Sequence, residues 1–165
     1  MRPITLTILC VLTFINSGFQ LFTSFEQFSN PEAQVEQGLL IFDQVRDVIE
    51  EQNQDLDSEQ EESFTAIMDS FESQWTVSAV KTMTISAMLT SLLCIAGAAM
   101  MWGLNGKGFW FYLAGLGISV LAPFVAFSGI LAIAQGIFSL IGSAILAFIY
   151  RSQQKYMLDF EGNKE

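Results

Sequence analysis

The chain has 165 residues, of which 52% are hydrophobic and only 15% are charged, whereas about a quarter of a typical soluble domain is charged. The net charge is −10, and 14 of the 17 acidic residues lie between Glu26 and Glu72. This balance, without a basic patch, excludes nucleic acid as a partner, and the lack of histidine removes the commonest general base and metal ligand.

The first candidate membrane span covers residues 4–25, which are uncharged and follow Arg2. A helix needs about 20 apolar residues to cross a bilayer core about 30 Å thick. The segment also fits a secretory signal peptide, because a basic residue precedes an apolar stretch, and cleavage would leave three spans. We favour an uncleaved span, since the apolar stretch continues past Gly18 to Phe25 and no A-x-A-like site follows a short core.

Residues 26–80 form an acidic segment that is predicted to contain two amphipathic helices outside the membrane. The first begins at Asn30, since Asn caps helices, Pro31 suits the first helical position and Glu32 favours the first turn. This helix is predicted to extend over about 22 residues. Its apolar residues recur every three or four positions, at Val35, Leu39, Phe42, Val45 and Ile49.

The second amphipathic helix is predicted to follow a break at residues 53–57. Ser58 and Glu61 fit a capping box at its start, and the pair of helices is predicted to form an extracytoplasmic hairpin. The apolar stripe of this second helix has to pack against the first helix, the rim of the bundle, lipid head groups or a protein partner. The candidate interaction residues on this stripe are Phe64, Met68, Phe71 and Trp75.

The connector between the two helices, residues 55–62, carries carboxylates at alternating positions, a pattern that suits calcium. An EF-hand loop would need Gly where Gln60 stands and Glu where Ala66 stands. We interpret the segment as a solvated connector, with a weak divalent-cation site as the alternative. No metal site or cofactor is expected.

Three further spans are predicted, at residues 82–103, 109–127 and 130–150. The last two come from 43 consecutive uncharged residues between Gly108 and Tyr150. One helix of that length would measure roughly 65 Å, about twice the thickness of the hydrocarbon core. A break is therefore predicted at Ser128-Gly129, because glycine tolerates turn geometry. Asn105-Gly106 predicts a tight turn between the second and third spans.

Positive charge near the spans predicts the orientation of the chain. With both termini in the cytoplasm, five basic residues lie inside, namely Arg2, Lys107, Arg151, Lys155 and Lys164. Only Arg46 and Lys81 then lie outside. We therefore expect an integral protein of the plasma membrane or a bacterial inner membrane, with residues 151–165 as a cytoplasmic tail.

The predicted fold is all-α, a multi-pass bundle of four membrane helices with the acidic helical hairpin between spans one and two. This layout resembles that of tetraspanins and claudins in topology alone. The outer domains of those families depend on cysteine motifs, and residues 26–80 contain no cysteine. The resemblance therefore implies no function for this chain.

Amides are the main polar candidates inside the membrane, since the second, third and fourth spans contain no Asp, Glu, Lys, Arg or His in their cores. Asn16 and Gln20 are four residues apart and share a helix face, and Gln135 is predicted to lie at a similar depth in the fourth span. We predict an amide contact that ties the first span to the fourth. The alternative is a polar pocket for a small molecule or a lipid head group.

Pairs of small residues four positions apart predict close helix packing within the bundle, with homo-oligomer contact as the alternative. The pairs are Ala87 with Ser91, Gly115 with Ser119, Ala132 with Gly136, and Ser139 with Ser143.

These features favour a non-enzymatic accessory, scaffold or interaction subunit that acts through its acidic outer segment. The alternative is a small transporter or channel subunit with a path lined by Ser, Thr and amides, including Ser86, Thr90 and Ser91. The expected partners are the lipid bilayer, a protein at the outer segment and a second copy of the chain.

Overall fold

The computed structural model describes the backbone of residues 4–52 and 58–162, and the side chains of residues 4–49, 63 and 65–152. Within these ranges the regular structure is entirely helical, which confirms the predicted all-α class. The helices are α1 (Ile4–Ser29), α2 (Pro31–Gln52), α3 (Ser58–Gln74), α4 (Val77–Trp102), α5 (Gly108–Ala126) and α6 (Gly129–Gly162).

Four helices are long and apolar enough to cross a membrane: α1, α4, α5 and the Gly129–Ser152 part of α6. Between 17% and 33% of the most apolar stretch of each is buried inside the protein. Most of their apolar side chains therefore face outwards, where hydrocarbon would solvate them better than water. The structure thus confirms an all-helical chain with four candidate membrane spans.

The start of α4 depends on Thr76, which follows the end of α3. The Thr76 backbone is extended, and its hydroxyl oxygen accepts a hydrogen bond from the Ala79 N–H at 3.3 Å, as expected of a helix N-cap. Because of this cap, α4 begins at Val77, ahead of the predicted start at residue 82. Lys81 consequently lies inside α4, near its first end.

The turn between α4 and α5 closes with the hydrogen-bond pattern that often ends helices. The Asn105 N–H donates to the Met100 carbonyl at 3.0 Å, and Leu104 adopts a left-handed backbone with φ 60°. Glycine usually occupies that position because other residues strain there. Leu104 packs its side chain on buried core residues, which helps to offset this strain. The predicted turn at Asn105-Gly106 is confirmed.

The connection between α5 and α6 is short. Pro123 lies in the last turn of α5, and its carbonyl accepts a hydrogen bond from the Phe127 N–H at 2.9 Å. Gly129 then begins α6 with φ +61°, a conformation that glycine adopts without steric cost. The predicted break at Ser128-Gly129 is confirmed, whereas α6 continues as a helix to Gly162.

In the bundle, α4 lies between α1 and α5, and α6 packs on α5. Glycine allows the close approach of α4 and α5, since a Cβ added to Gly97 would lie 2.7 Å from the Tyr112 backbone nitrogen. A Cβ added to Gly115 would lie 3.1 Å from the Thr90 carbonyl oxygen. The close packing predicted at Gly115 is thus confirmed.

The bundle has two ends, each with its own hydrophobic core. The terminal end holds the start of α1 and the α4–α5 turn, and the loop end holds the α1–α2, α3–α4 and α5–α6 connections. The core of the terminal end is formed by Leu6, Cys10, Cys94, Met101, Phe109, Tyr112, Leu116 and Tyr150. The core of the loop end is formed by Ala79, Phe127, Leu131 and Ala132, with Phe71 and Trp75 packed against it.

Candidate functional site

The acidic helices α2 and α3 contact each other through an ion pair and an aromatic pair. Arg46 Nη2 lies 3.0 Å from Asp69 Oδ1 and 3.7 Å from Glu72 Oε2. The rings of Phe42 and Phe71 stack with their centroids 6.1 Å apart. Because both acids are at least half exposed, we expect the ion pairs to contribute about 1 kcal/mol or less, so the apolar contact matters more.

The end of α3 is fastened to the loop end of the bundle. Trp75 stacks on Phe127 at 5.8 Å with 9° between the ring planes, and its indole N–H donates to the Gln34 carbonyl at 3.5 Å. The side-chain oxygen of Gln74 accepts hydrogen bonds from the N–H of Ser128 at 2.6 Å and from its hydroxyl at 3.1 Å. These contacts position α3 against both α2 and the α5–α6 connection.

Three candidate interaction residues are therefore engaged within the protein. Met68 is buried, and Phe71 and Trp75 are half-buried against α2 and the loop-end core. The side chain of Phe64 lies outside the described residues. Packing on the neighbouring helix and on the rim of the bundle were two of the predicted forms of cover, and they are the ones that the structure shows for Phe71 and Trp75.

A different apolar surface, on α2, is exposed. We name it the α2 stripe, and it consists of Leu40, Ile41, Val45 and Val48, which are 55%, 59%, 41% and 52% exposed. Val45 was assigned by its spacing to the covered side of α2, but the structure places it outside. The steps of four and three from Ile41 to Val48 predict this second apolar face of α2 equally well. Only the packing of α3 on α2 shows which of the two faces is covered.

A groove of about 380 Å³ lies among the four candidate spans, between α1 and α6. Its polar lining comes from all four spans and consists of Thr13, Asn16, Ser17, Gln20, Thr90, Cys94, Tyr112, Ser119, Ser139 and Ser143. No Asp, Glu, Lys or Arg lines it among the described residues. The groove is therefore uncharged, and its mostly apolar surface carries several polar groups.

The polar groups of the groove lie near the middle of the spans. Asn16 is near the midpoint of α1, Thr90 of α4 and Ser119 of α5, and Ser139 and Ser143 flank the midpoint of the Gly129–Ser152 span. If these helices cross a bilayer, this depth corresponds to the hydrocarbon core, where polar groups are costly unless they find hydrogen-bond partners.

Hydroxyl groups on α5 and α6 satisfy one another along one wall of the groove. The Ser139 hydroxyl donates to the Ser119 carbonyl at 2.9 Å, and the Ser119 and Ser143 hydroxyls lie 3.4 Å apart. The small-residue pattern predicts that these serines serve helix packing, and they do lie in the contact between α5 and α6. Their shared depth was the signal for a polar wall, since a residue's depth follows from its distance along the helix.

The predicted amide contact between the first and fourth spans is not formed in the described part of the chain. Asn16 and Gln20 line the groove, Gln135 does not, and no hydrogen bond links their side chains. The polar contact between α1 and α6 is made by Tyr150, whose hydroxyl donates to the Leu9 carbonyl at 2.9 Å. The two helices approach each other less closely than neighbouring pairs do, which leaves the groove open.

Only one of the three predicted path residues lines the groove. Thr90 lines it, although its hydroxyl already donates to the Gly115 carbonyl at 3.2 Å. Ser86 donates to Thr82 within its own helix, and Ser91 is fully buried with no hydrogen-bond partner in the described part of the chain.

Metal coordination has no candidate within the described residues, since no group of three or more His, Cys, Asp or Glu side chains comes together there. The side chains of the connector 55–62, which was considered for calcium, lie outside the described residues.

The described part of the chain is an all-helical bundle in which four helices are long and apolar enough to span a membrane, with two acidic helices at one end. The chain matches no model of a known protein family, no curated protein sequence and no solved structure. Its function is therefore inferred from its own geometry.

Proposed function

We propose that the chain is a non-enzymatic accessory subunit of a membrane assembly, which binds a protein partner through α2 and α3 outside the cytoplasm. The excess of basic residues near the terminal end favours cytoplasmic termini. In this orientation α2 and α3 form a helical hairpin on the outer ends of the spans. The packing of Trp75 on Phe127 supports this arrangement.

The α2 stripe is the observation that carries the proposal. The opposite face of α2 is occupied, because Phe42 packs on Phe71 and Trp75. A helix that lies outside the bilayer has no hydrocarbon around it to cover a row of exposed aliphatic side chains. Such rows commonly mark interaction surfaces.

The chemistry of the partner follows from the charges around the stripe. Asp43 and Asp47 are exposed beside it, while Arg46 is held by Asp69. The surface therefore presents an apolar row with an acidic rim. It fits a protein surface with an apolar centre and a basic rim, since complementary charge steers association and fixes register.

The proposal is tested by extracting the full-length protein in mild detergent and identifying the protein that co-purifies. We expect Ile41→Gln with Val45→Gln to lose that partner, and Asp43→Asn with Asp47→Asn to retain it less well at low salt and to be less sensitive to added salt than the unmodified protein. Ile67→Gln on α3 is the matched control, because Ile67 is also exposed but lies off the stripe. The proposal fails if the stripe variant retains the partner as the control does.

These variants are expected to fold, because substitutions at exposed positions usually change stability by about 0.5 kcal/mol or less. An unchanged melting temperature of the stripe variant would show that loss of the partner does not come from unfolding.

The polar groups in the groove favour a transporter as a second candidate, since transporters bind their substrates near the bilayer midplane. A continuous path would have to open past Tyr150, which is fully buried and joins α1 to α6 near the terminal end. The accessory role requires no such opening and is the function that the geometry supports better.

A further inference from the structure

We propose that the groove between α1 and α6 binds an uncharged amphiphile drawn from the bilayer. Its head, which carries hydroxyl groups and so both donates and accepts hydrogen bonds, lies among the polar groups of the groove, and its hydrocarbon tail lies along the lipid-facing side. This inference concerns the membrane-embedded part of the chain and does not depend on the partner of α2.

The amides of Asn16 and Gln20 need hydrogen-bond partners, which such a ligand would supply. Each amide offers two N–H donors and one carbonyl acceptor, and neither side chain forms a hydrogen bond within the described part of the chain. An exposed amide normally forms its hydrogen bonds with water. Near the midpoint of a span the surroundings are hydrocarbon, where each unsatisfied polar group costs several kcal/mol.

The lining of the groove sets the charge of the ligand. Serine and threonine hydroxyls and the two amides can donate to or accept from hydroxyl, carbonyl and amide groups alike. No lining residue among those described carries a charge, so an ionic head group would be left unpaired at this depth. A neutral head group with both donors and acceptors fits best.

The shape of the groove indicates where the ligand enters. Near the terminal end, Tyr150 joins α6 to Leu9 and Thr13 of α1. Away from that contact the two helices leave a lateral opening. Leu12 and Leu146 line the groove and are 57% and 40% exposed, so they offer an apolar path along which a tail can lie.

A membrane helix from a second copy is the competing occupant, because its Asn16 and Gln20 amides would be self-complementary. A helix is about 10–12 Å across, and one turn would already fill a space of about 380 Å³. The groove therefore fits a head group better than a helix. Its polar groups also come from four helices around a concavity rather than from one convex face.

The test compares two probes that share an acyl chain, 1-monooleoylglycerol and methyl oleate, added to the purified full-length protein in detergent. Only the first has free hydroxyl groups. At about a hundredfold excess over its dissociation constant we expect 1-monooleoylglycerol to raise the melting temperature by about 5–11 °C. Methyl oleate at the same concentration should raise it much less.

Three variants locate the binding site. Asn16→Leu with Gln20→Leu removes the unsatisfied amides and should weaken binding about tenfold, since each lost hydrogen bond in a membrane costs about threefold. Ser143→Leu fills the groove and should abolish the shift. Gln135→Leu is the matched control, because Gln135 is an amide in a candidate span that does not line the groove, and it should keep the full shift.

Three outcomes would overturn the proposal. The first is an equal shift with both probes, and the second is an undiminished shift in the Asn16→Leu, Gln20→Leu variant. The third is a stable dimer, seen by native mass spectrometry in the absence of added lipid, that this same variant converts to a monomer. That last result would mean that a second copy of the chain, and not a lipid, occupies the groove.

Discussion

Tyr150 illustrates how one hydroxyl group joins helices that are far apart in the chain. The side chain is fully buried, and its ring centroid lies 4.5 Å from that of Tyr112. Because the hydroxyl has one proton and donates it to the Leu9 carbonyl, it must accept from the Thr13 hydroxyl, 2.5 Å away. The Tyr150 hydroxyl thus uses both its proton and a lone pair in one contact between α1 and α6.

Replacing Tyr150 with phenylalanine is expected to keep the ring packing and to lose both hydrogen bonds. Polar contacts between membrane helices are modest, and the Leu9 carbonyl keeps its hydrogen bond from the Thr13 N–H within α1. The change removes the second hydrogen bond to that carbonyl and leaves the Thr13 hydroxyl without its acceptor. We expect a loss of about 1 kcal/mol, which lowers the melting temperature in detergent by roughly 2–4 °C. Thermal unfolding followed by circular dichroism measures it.

A double-mutant cycle supplies the control for this prediction. Thr13→Val removes the donor, so its effect should largely disappear when Tyr150 is already phenylalanine. Fully additive effects of the two substitutions would mean that the hydrogen bond between Thr13 and Tyr150 contributes nothing.

The role of Tyr150 could not be predicted from the sequence, because the residue is separated from Thr13 by 137 positions. In the sequence it only ends an uncharged stretch. Asn16 and Gln20 were predicted correctly as polar residues on one face of α1, but the position of α6 relative to that face decides what they can reach, and no local pattern encodes it.

Helix packing depends most clearly on glycine where α4 meets α5. A Cβ added at Gly97 would lie 2.7 Å from the Tyr112 backbone nitrogen and 2.8 Å from the Gly108 carbonyl oxygen. Backbone atoms of a helix cannot move independently as the end of a flexible side chain can. An added Cβ would therefore force the two helices apart. Gly117 on α5 has nothing within 4 Å of an added Cβ.

Gly97→Ala is therefore expected to destabilise the protein by about 2 kcal/mol through overpacking, with a melting temperature lower by about 4–8 °C. Gly117→Ala, the matched control, should leave it unchanged or raise it, because alanine favours the helix. Thermal unfolding of both variants in the same detergent makes the comparison. Equal effects of the two substitutions would contradict the close contact at Gly97.

The helices themselves could largely be predicted from local sequence. Pro31 and Ser58 start α2 and α3 as expected, and Gly129 starts α6 after the predicted break. What could not be predicted was which side of an amphipathic helix is covered. Val45 belongs to two overlapping apolar patterns, and only the position of Phe71 on α3 decides that α2 turns Phe42 inwards and Val45 outwards.

At the scale of the whole molecule, polarity changes with position along the bundle. Acidic helices lie at the loop end, an uncharged groove with several polar groups lies near the middle of the candidate spans, and a core containing Tyr112 and Tyr150 closes the terminal end. Each function proposed for the chain requires that α1, α4, α5 and the first part of α6 cross a bilayer. In that arrangement α3 and the α4–α5 turn lie on opposite sides of the bilayer.

The most direct test labels single cysteines with a membrane-impermeant maleimide in intact cells. Ala66→Cys on α3 and Lys107→Cys in the α4–α5 turn are both exposed positions, and each is introduced after the buried Cys10 and Cys94 are replaced by alanine. We predict that the Ala66→Cys variant is labelled in intact cells and the Lys107→Cys variant only after permeabilisation. Labelling of both variants in intact cells would contradict the four-span account.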